Sequence, residues 1–219
     1  MDYLKLTLAY IEGRIPPCEY ETLLEQDPGL YHWIQEIAPA NETVRIFNWD
    51  LKIPQEFSYD VRLVLKKYEA IDEGGPKGSL SYHYFIHQHI VSLVQKAFPD
   101  IPLVIDPKPE MLYKVELFVC PSYIGGREVN DSCILSNILD DIPTNWSTAK
   151  RNKEAKDRIK KAFHIEGNKY PRWIQSPEWP MNNGIPMRYV KTQRVNSEHV
   201  QHIFQDVKTG EQRMVDDFH

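Results

Sequence analysis

The chain has 219 residues, 42% of them hydrophobic and 26% charged, with a formal net charge of −5. A body of this size buries about 70% of its extended-chain surface on folding, so a full hydrophobic core is available and disorder is not expected. The opening Met1-Asp2-Tyr3-Leu4-Lys5 lacks the basic head and apolar run of a secretory leader, and no long apolar stretch occurs, so a soluble cytoplasmic protein is expected, away from any membrane.

The charge is unevenly placed. Residues 1 to 45 hold eight acids against three bases, and Glu19, Glu21, Glu25 and Asp27 fall within nine positions. Such a face repels phosphate backbones and attracts basic surfaces, which disfavours nucleic-acid binding and points to a basic protein partner. Cys18, Cys120 and Cys133 form no C-x-x-C pair, which argues against a disulfide framework or a cysteine-rich zinc site and for reduced thiols.

Taken in order, Leu4, Leu8 and Ile11 predict a short amphipathic helix that ends near Gly13. After Ile15-Pro16-Pro17 a second helix carries Tyr20, Leu23 and Leu24 inward, and Asp27-Pro28 is an N-cap with proline at the first helical position of a third. Residues 44 to 57 mix aromatic, polar and proline residues and read as an extended loop. Phe57, Val61, Val64, Tyr68 and Ile71 then predict a long helix ended by Gly74-Gly75-Pro76. Leu80, Tyr84, His87, Val91, Val94 and Phe98 predict a second, and the two form a helical hairpin. Tyr113, Val115, Leu117 and Val119 alternate as a strand would, and Cys133 to Ile142 read as a further helix. Ser147 caps a basic helix over 150–161 whose charges read as a solvated face.

From Tyr170 the pattern changes. Two tryptophans, Trp173 and Trp179, flank Gln175 as a packed, polar-tipped structural corner, because an indole buries a large apolar area but needs a partner for its N–H. Asn182-Asn183-Gly184 and Thr209-Gly210 are turns. Between them Met187, Tyr189 and Lys191 are expected on one strand face, opposite Arg188 and Val190, while His202 and Phe204 alternate with Ile203 and Gln205. The expected fold is α+β: a mainly helical N-terminal two-thirds (1–165) packed with a small C-terminal antiparallel sheet (166–219), as a single domain.

Chemistry-bearing motifs are sparse. His83 and His87 lie four apart on a helix and are the best metal lead, for a metal-dependent hydrolase with a distant third ligand such as His164 or His202. The His-Glu-x-x-His pattern is missing, and His87 sits on the apolar stripe, so the expectation is no metal, no cofactor and no catalytic residue. There is no G-x-S-x-G elbow and no phosphate-binding loop.

Three stretches carry a resemblance: Pro121-Ser122-Tyr123-Ile124-Gly125-Gly126, the run from Pro171-Arg172-Trp173 to Glu178-Trp179-Pro180, and Gly184-Ile185-Pro186-Met187, with Ile11-Glu12-Gly13-Arg14-Ile15 at the start. Together they resemble poorly characterised bacterial cytoplasmic proteins that look like immunity proteins of antibacterial toxin systems. Thr192-Gln193 departs from the Gly-Gln that such proteins carry after the strand. The resemblance implies a non-enzymatic inhibitor that binds a cognate toxin, such as a nuclease, with Glu19, Glu21, Glu25 and Asp27 as the partner-binding acids. The alternatives are the hydrolase and an interaction or scaffold protein.

Overall fold

A computed structural model describes residues 2–48, 50–69 and 77–218. The fold is α+β, with most helices in the N-terminal part and a three-stranded antiparallel sheet at the C-terminal end. Two compact units divide the chain, Met1–Tyr113 and Lys114–His219.

The first unit contains α1 (Tyr3–Ile11), α2 (Pro17–Gln26), α3 (Pro28–Ile37), the strands β1 (Thr43–Asn48) and β2 (Ile53–Ser58), then α4 (Val61–Glu69) and α5 (Leu80–Ala97). The local signals act as expected. Asp27 Oδ1 accepts the N–H groups of Gly29 and Leu30 to start α3, and Ser79 accepts Tyr82 N–H to start α5. Gly13 takes φ +75 just beyond α1, where a left-handed residue ends a helix at no steric cost. The core gathers Tyr10, Tyr20, Leu30, Ile34, Val64, Ile90 and Val94 from all five helices, with Tyr10 stacked on Tyr20 at 4.0 Å.

Three expectations fail here. Residues 44–57 are no loop but a hairpin in which Thr43 faces Ser58 and Asn48 faces Ile53. Pro54 is tolerated because β2 has only one paired neighbour and its own missing N–H disrupts no second ladder. Phe57 therefore belongs to β2 and not to the helical stripe, which starts at Val61. Ile71 and the stop at Gly74-Gly75-Pro76 lie outside the described residues. Cys18 is disulfide-bonded and not a reduced thiol.

Past α6 (Lys108–Phe118), the second unit contains α7 (Arg127–Asp131), α8 (Ile134–Leu139), α9 (Thr148–Ala162) and the strands β3 (Met181–Asn182), β4 (Ile185–Pro186), β5 (Arg188–Arg194), β6 (His199–Gln205) and β7 (Gln212–Phe218). The expected strand at 113–119 is the end of helix α6. Met111, Leu112 and Val115 are its buried residues, at helical spacing, while Leu117, which the alternation placed inside, is exposed. Ser147 caps α9 by accepting Lys150 N–H, as its position predicted. Cys133 is disulfide-bonded, whereas Cys120 is a free thiol whose pKa burial pushes up to about 12.

In the C-terminal sheet the order is β5-β6-β7, all antiparallel. Asn183 and Gly184, at φ +49 and +74, join β3 to β4 with the positive angles of a tight two-residue hairpin turn. A bulge at Val190 overturns the expected sharing of a face by Tyr189 and Lys191. Tyr189 opposes Phe204, Lys191 opposes Ile203, and Thr192 opposes His202, so the extra residue moves Lys191 to the other face and brings Thr192 to the side of Tyr189. No described helix is long and apolar enough to cross a membrane.

Candidate functional site

The four N-terminal acids do not form one solvated face. Glu19 is exposed, but Glu21 is buried, and both its oxygens lie within 2.9 Å of His83 Nδ1. Burial raises the Glu21 pKa, and the His83 charge opposes that rise. Glu25 is ion-paired with Lys77 at 2.6 Å, and Asp27 is committed to the start of α3 and to Tyr3. The fold itself uses Glu21 and Asp27, since a carboxylate that caps a helix or is buried against an imidazole is not free to meet another molecule, whereas Glu19 and Glu25 are exposed.

His83 and His87 share α5 but serve different groups. His83 has Glu21 at Nδ1 and Cys18 Sγ 3.4 Å from Nε2. His87 Nε2 lies 3.2 Å from the Ile11 carbonyl oxygen, and its ring meets Tyr10 edge-on at 5.3 Å. Burial lowers the His87 pKa, which keeps the ring neutral and suits a core residue. The two rings are thus engaged by different groups, Glu21 and Cys18 for His83 and the Ile11 carbonyl oxygen for His87.

The aromatic corner of the second unit is assembled as the indole chemistry required. Trp173 Nε1 donates to the Tyr123 carbonyl at 3.0 Å, and Trp179 Nε1 donates to the Met187 carbonyl at 2.9 Å. Trp179 packs edge-on against Phe163 and Phe204, and Trp173 lies over His202 at 4.4 Å. Gln175 contributes its backbone N–H, which reaches Asp217 Oδ1 at 3.1 Å. The motifs singled out in the sequence meet here, since the Gly125 carbonyl accepts Trp179 N–H and Glu128 accepts Met181 N–H.

Two features lie outside the elements predicted from the sequence. One is the β1–β2 hairpin, where Phe47, Leu51, Ile53 and Phe57 are 37%, 56%, 52% and 41% exposed, a concentration of apolar surface in eleven residues. Pro54 interrupts the alternation that marks such a hairpin in the sequence. The other is a polar chain on one face of the C-terminal sheet. Tyr189 OH lies 2.7 Å from Thr192 Oγ1, which lies 2.7 Å from His202 Nδ1, and His202 Nε2 is 3.1 Å from Asp217 Oδ2. Its members stand on three strands, and the bulge that aligns them has no signature in the sequence.

No family model, curated protein or solved structure matches this chain.

Proposed function

We propose that this protein acts by binding another protein, as an immunity-type inhibitor of a basic toxin domain would. The observation that carries this reading is the exposed apolar surface of the β1–β2 hairpin, where Ile53 and Phe57 share one face and Phe47 stands on the other with Leu51 at the turn, because large apolar side chains on a surface are costly in water and gain free energy when a partner covers them. The excess of acids over bases in residues 1–45 sets the sign of the partner's charge. Contact therefore centres on the hairpin, with Glu19 and the exposed Glu36 contributing to encounter and not to the buried contact.

The experiment is to search beside this gene for one that encodes a basic toxin domain and to measure binding to that domain; finding no such gene counts against the reading. Leu51→Asp with Ile53→Asp should weaken the complex by about tenfold or more through faster dissociation, with an unchanged melting temperature. Glu19→Lys with Glu36→Lys should instead slow association at low salt. A toxin that binds neither form, or binds both variants as tightly and as fast as the original, overturns the reading.

A further inference from the structure

We propose that Thr192, His202 and Asp217 form an acyl-transfer centre within the second unit, with Thr192 Oγ1 as nucleophile, His202 as its general base and Asp217 as the group that holds the imidazole. The substrate class is an activated acyl ester. The proposal shares no residue with the hairpin, so it stands or falls separately from the binding role.

The proton order follows from the donors and acceptors. The Asp217 carboxylate accepts three N–H groups: Ile174 N at 2.5 Å and His202 Nε2 at 3.1 Å on Oδ2, and Gln175 N at 3.1 Å on Oδ1. An ionised carboxylate has only acceptors, so His202 carries a proton on Nε2, and in the neutral ring Nδ1 is then the acceptor. Thr192 Oγ1, 2.7 Å away, must donate to that lone pair, and Tyr189 then donates to Oγ1. The resulting chain Tyr189, Thr192, His202, Asp217 is the order in which a hydroxyl nucleophile is activated by an imidazole oriented by a carboxylate.

Placement fits the same role. His202 is 0% exposed, fixed by Trp173 against its ring, and Asp217 is 3% exposed, whereas Thr192 is exposed on β5, an edge strand of the sheet. A buried base beneath a surface hydroxyl lets a substrate reach the nucleophile while its proton acceptor stays dry. The Val190 bulge matters here, because without the register shift Thr192 would point to the opposite face from Tyr189.

The step balances with water as the only co-reactant. Thr192 Oγ1 attacks the acyl carbonyl carbon, a new C–O bond forms and the bond to the leaving oxygen breaks. The threonine proton passes to His202 Nδ1 and from there to the leaving oxygen. Water, giving its proton to Nδ1, then releases the acid and restores the hydroxyl. Tyr189 O–H, 2.7 Å from Oγ1 and released as Oγ1 becomes an ester oxygen, is a donor for the developing oxyanion.

The test uses the full chain with p-nitrophenyl acetate, following p-nitrophenolate release and locating the acetyl group by tandem mass spectrometry. The expected result is acetylation of Thr192, retained in Thr192→Ser, absent in Thr192→Val, and slowed about a hundredfold or more in Asp217→Asn and His202→Gln. Thr192→Val leaves the buried His202 Nδ1 without its partner and should lower the melting temperature, so circular dichroism must show the variant folded at the assay temperature, which separates lost chemistry from lost fold. Absence of acetyl on Thr192 in the original protein overturns the proposal. So does labelling at an equal rate in a folded Asp217→Asn variant, which would make the Thr–His–Asp array a cross-strand link only.

Discussion

Glu21 and Glu19 are two positions apart on α2 and have opposite fates. Glu21 faces inward onto His83, so replacing it by alanine leaves a buried imidazole without its carboxylate and should cost about 3 kcal/mol in folding stability. Glu19→Ala, on the exposed side, should change stability by less than about 0.5 kcal/mol. Urea denaturation of the two variants checks the contrast, and equal effects would mean that the pair adds nothing. His89 gives a pH prediction. Burial pushes its pKa down to about 4 from an ordinary value of about 6.5. The unfolded chain therefore takes up the proton first, and the stability His89 contributes is full above about pH 6.5 and lost as pH falls toward 4. The melting temperature should drop between pH 7 and 4.5, and His89→Gln should flatten that drop.

At the scale of elements, the loop between α6 and α7 shows how a backbone conformation fixes a contact. Gly126 has φ +103 and ψ 165, a region open to glycine, and a Cβ built there would stand 2.8 Å from Glu178 Cα and 2.8 Å from the Pro177 carbonyl oxygen. Close approach of the two segments lets the Gly125 carbonyl meet Trp179 N–H. Gly126→Ala should cost about 2 kcal/mol or more from strain and displaced backbone. Gly167→Ala, at φ +59 with nothing within 4 Å, should cost about 1 kcal/mol. Chemical denaturation ranks them, and the reverse ranking would show that this loop yields freely. The β5 bulge is the other element that matters, since one extra residue decides which side chains His202 meets.

For the whole molecule, the C-terminal sheet is not self-sufficient. Trp179 rests on Phe163, Trp173 donates to the Tyr123 carbonyl, and Glu128 holds both Met181 N–H and the Arg213 guanidinium. Residues 166–219 expressed alone lose all of these partners and should show no cooperative thermal transition by circular dichroism, because a three-stranded sheet with large aromatic residues on one face cannot bury them unaided. A sharp melt of that fragment would show that the sheet folds without the helices that precede it.

What could be read in the sequence was local. The Asp27 cap, the Ser147 cap and the Asn183-Gly184 turn each depend on residues a few positions apart and stand as predicted, as does the α5 helix, though its buried face is wider than the predicted stripe and leaves Tyr84 and Phe98 only partly buried. The need of Trp173 and Trp179 for polar partners was legible too, because it is a property of the side chain. Tertiary structure decided the rest. Alternation at 113–119 fitted a strand until packing selected Met111, Leu112 and Val115 as one helix face, and the 44–57 hairpin was masked by a proline that an edge strand accommodates. Charge in residues 1–45 showed how much acid was present but not which acids would face water. Glu21 is spent on His83, 62 positions away, and Thr192, His202 and Asp217 meet only after three strands pair around a bulge. Periodicity and capping act over one or two turns of chain, whereas the burial of a charge and the company of a hydroxyl depend on which distant segment folds against it.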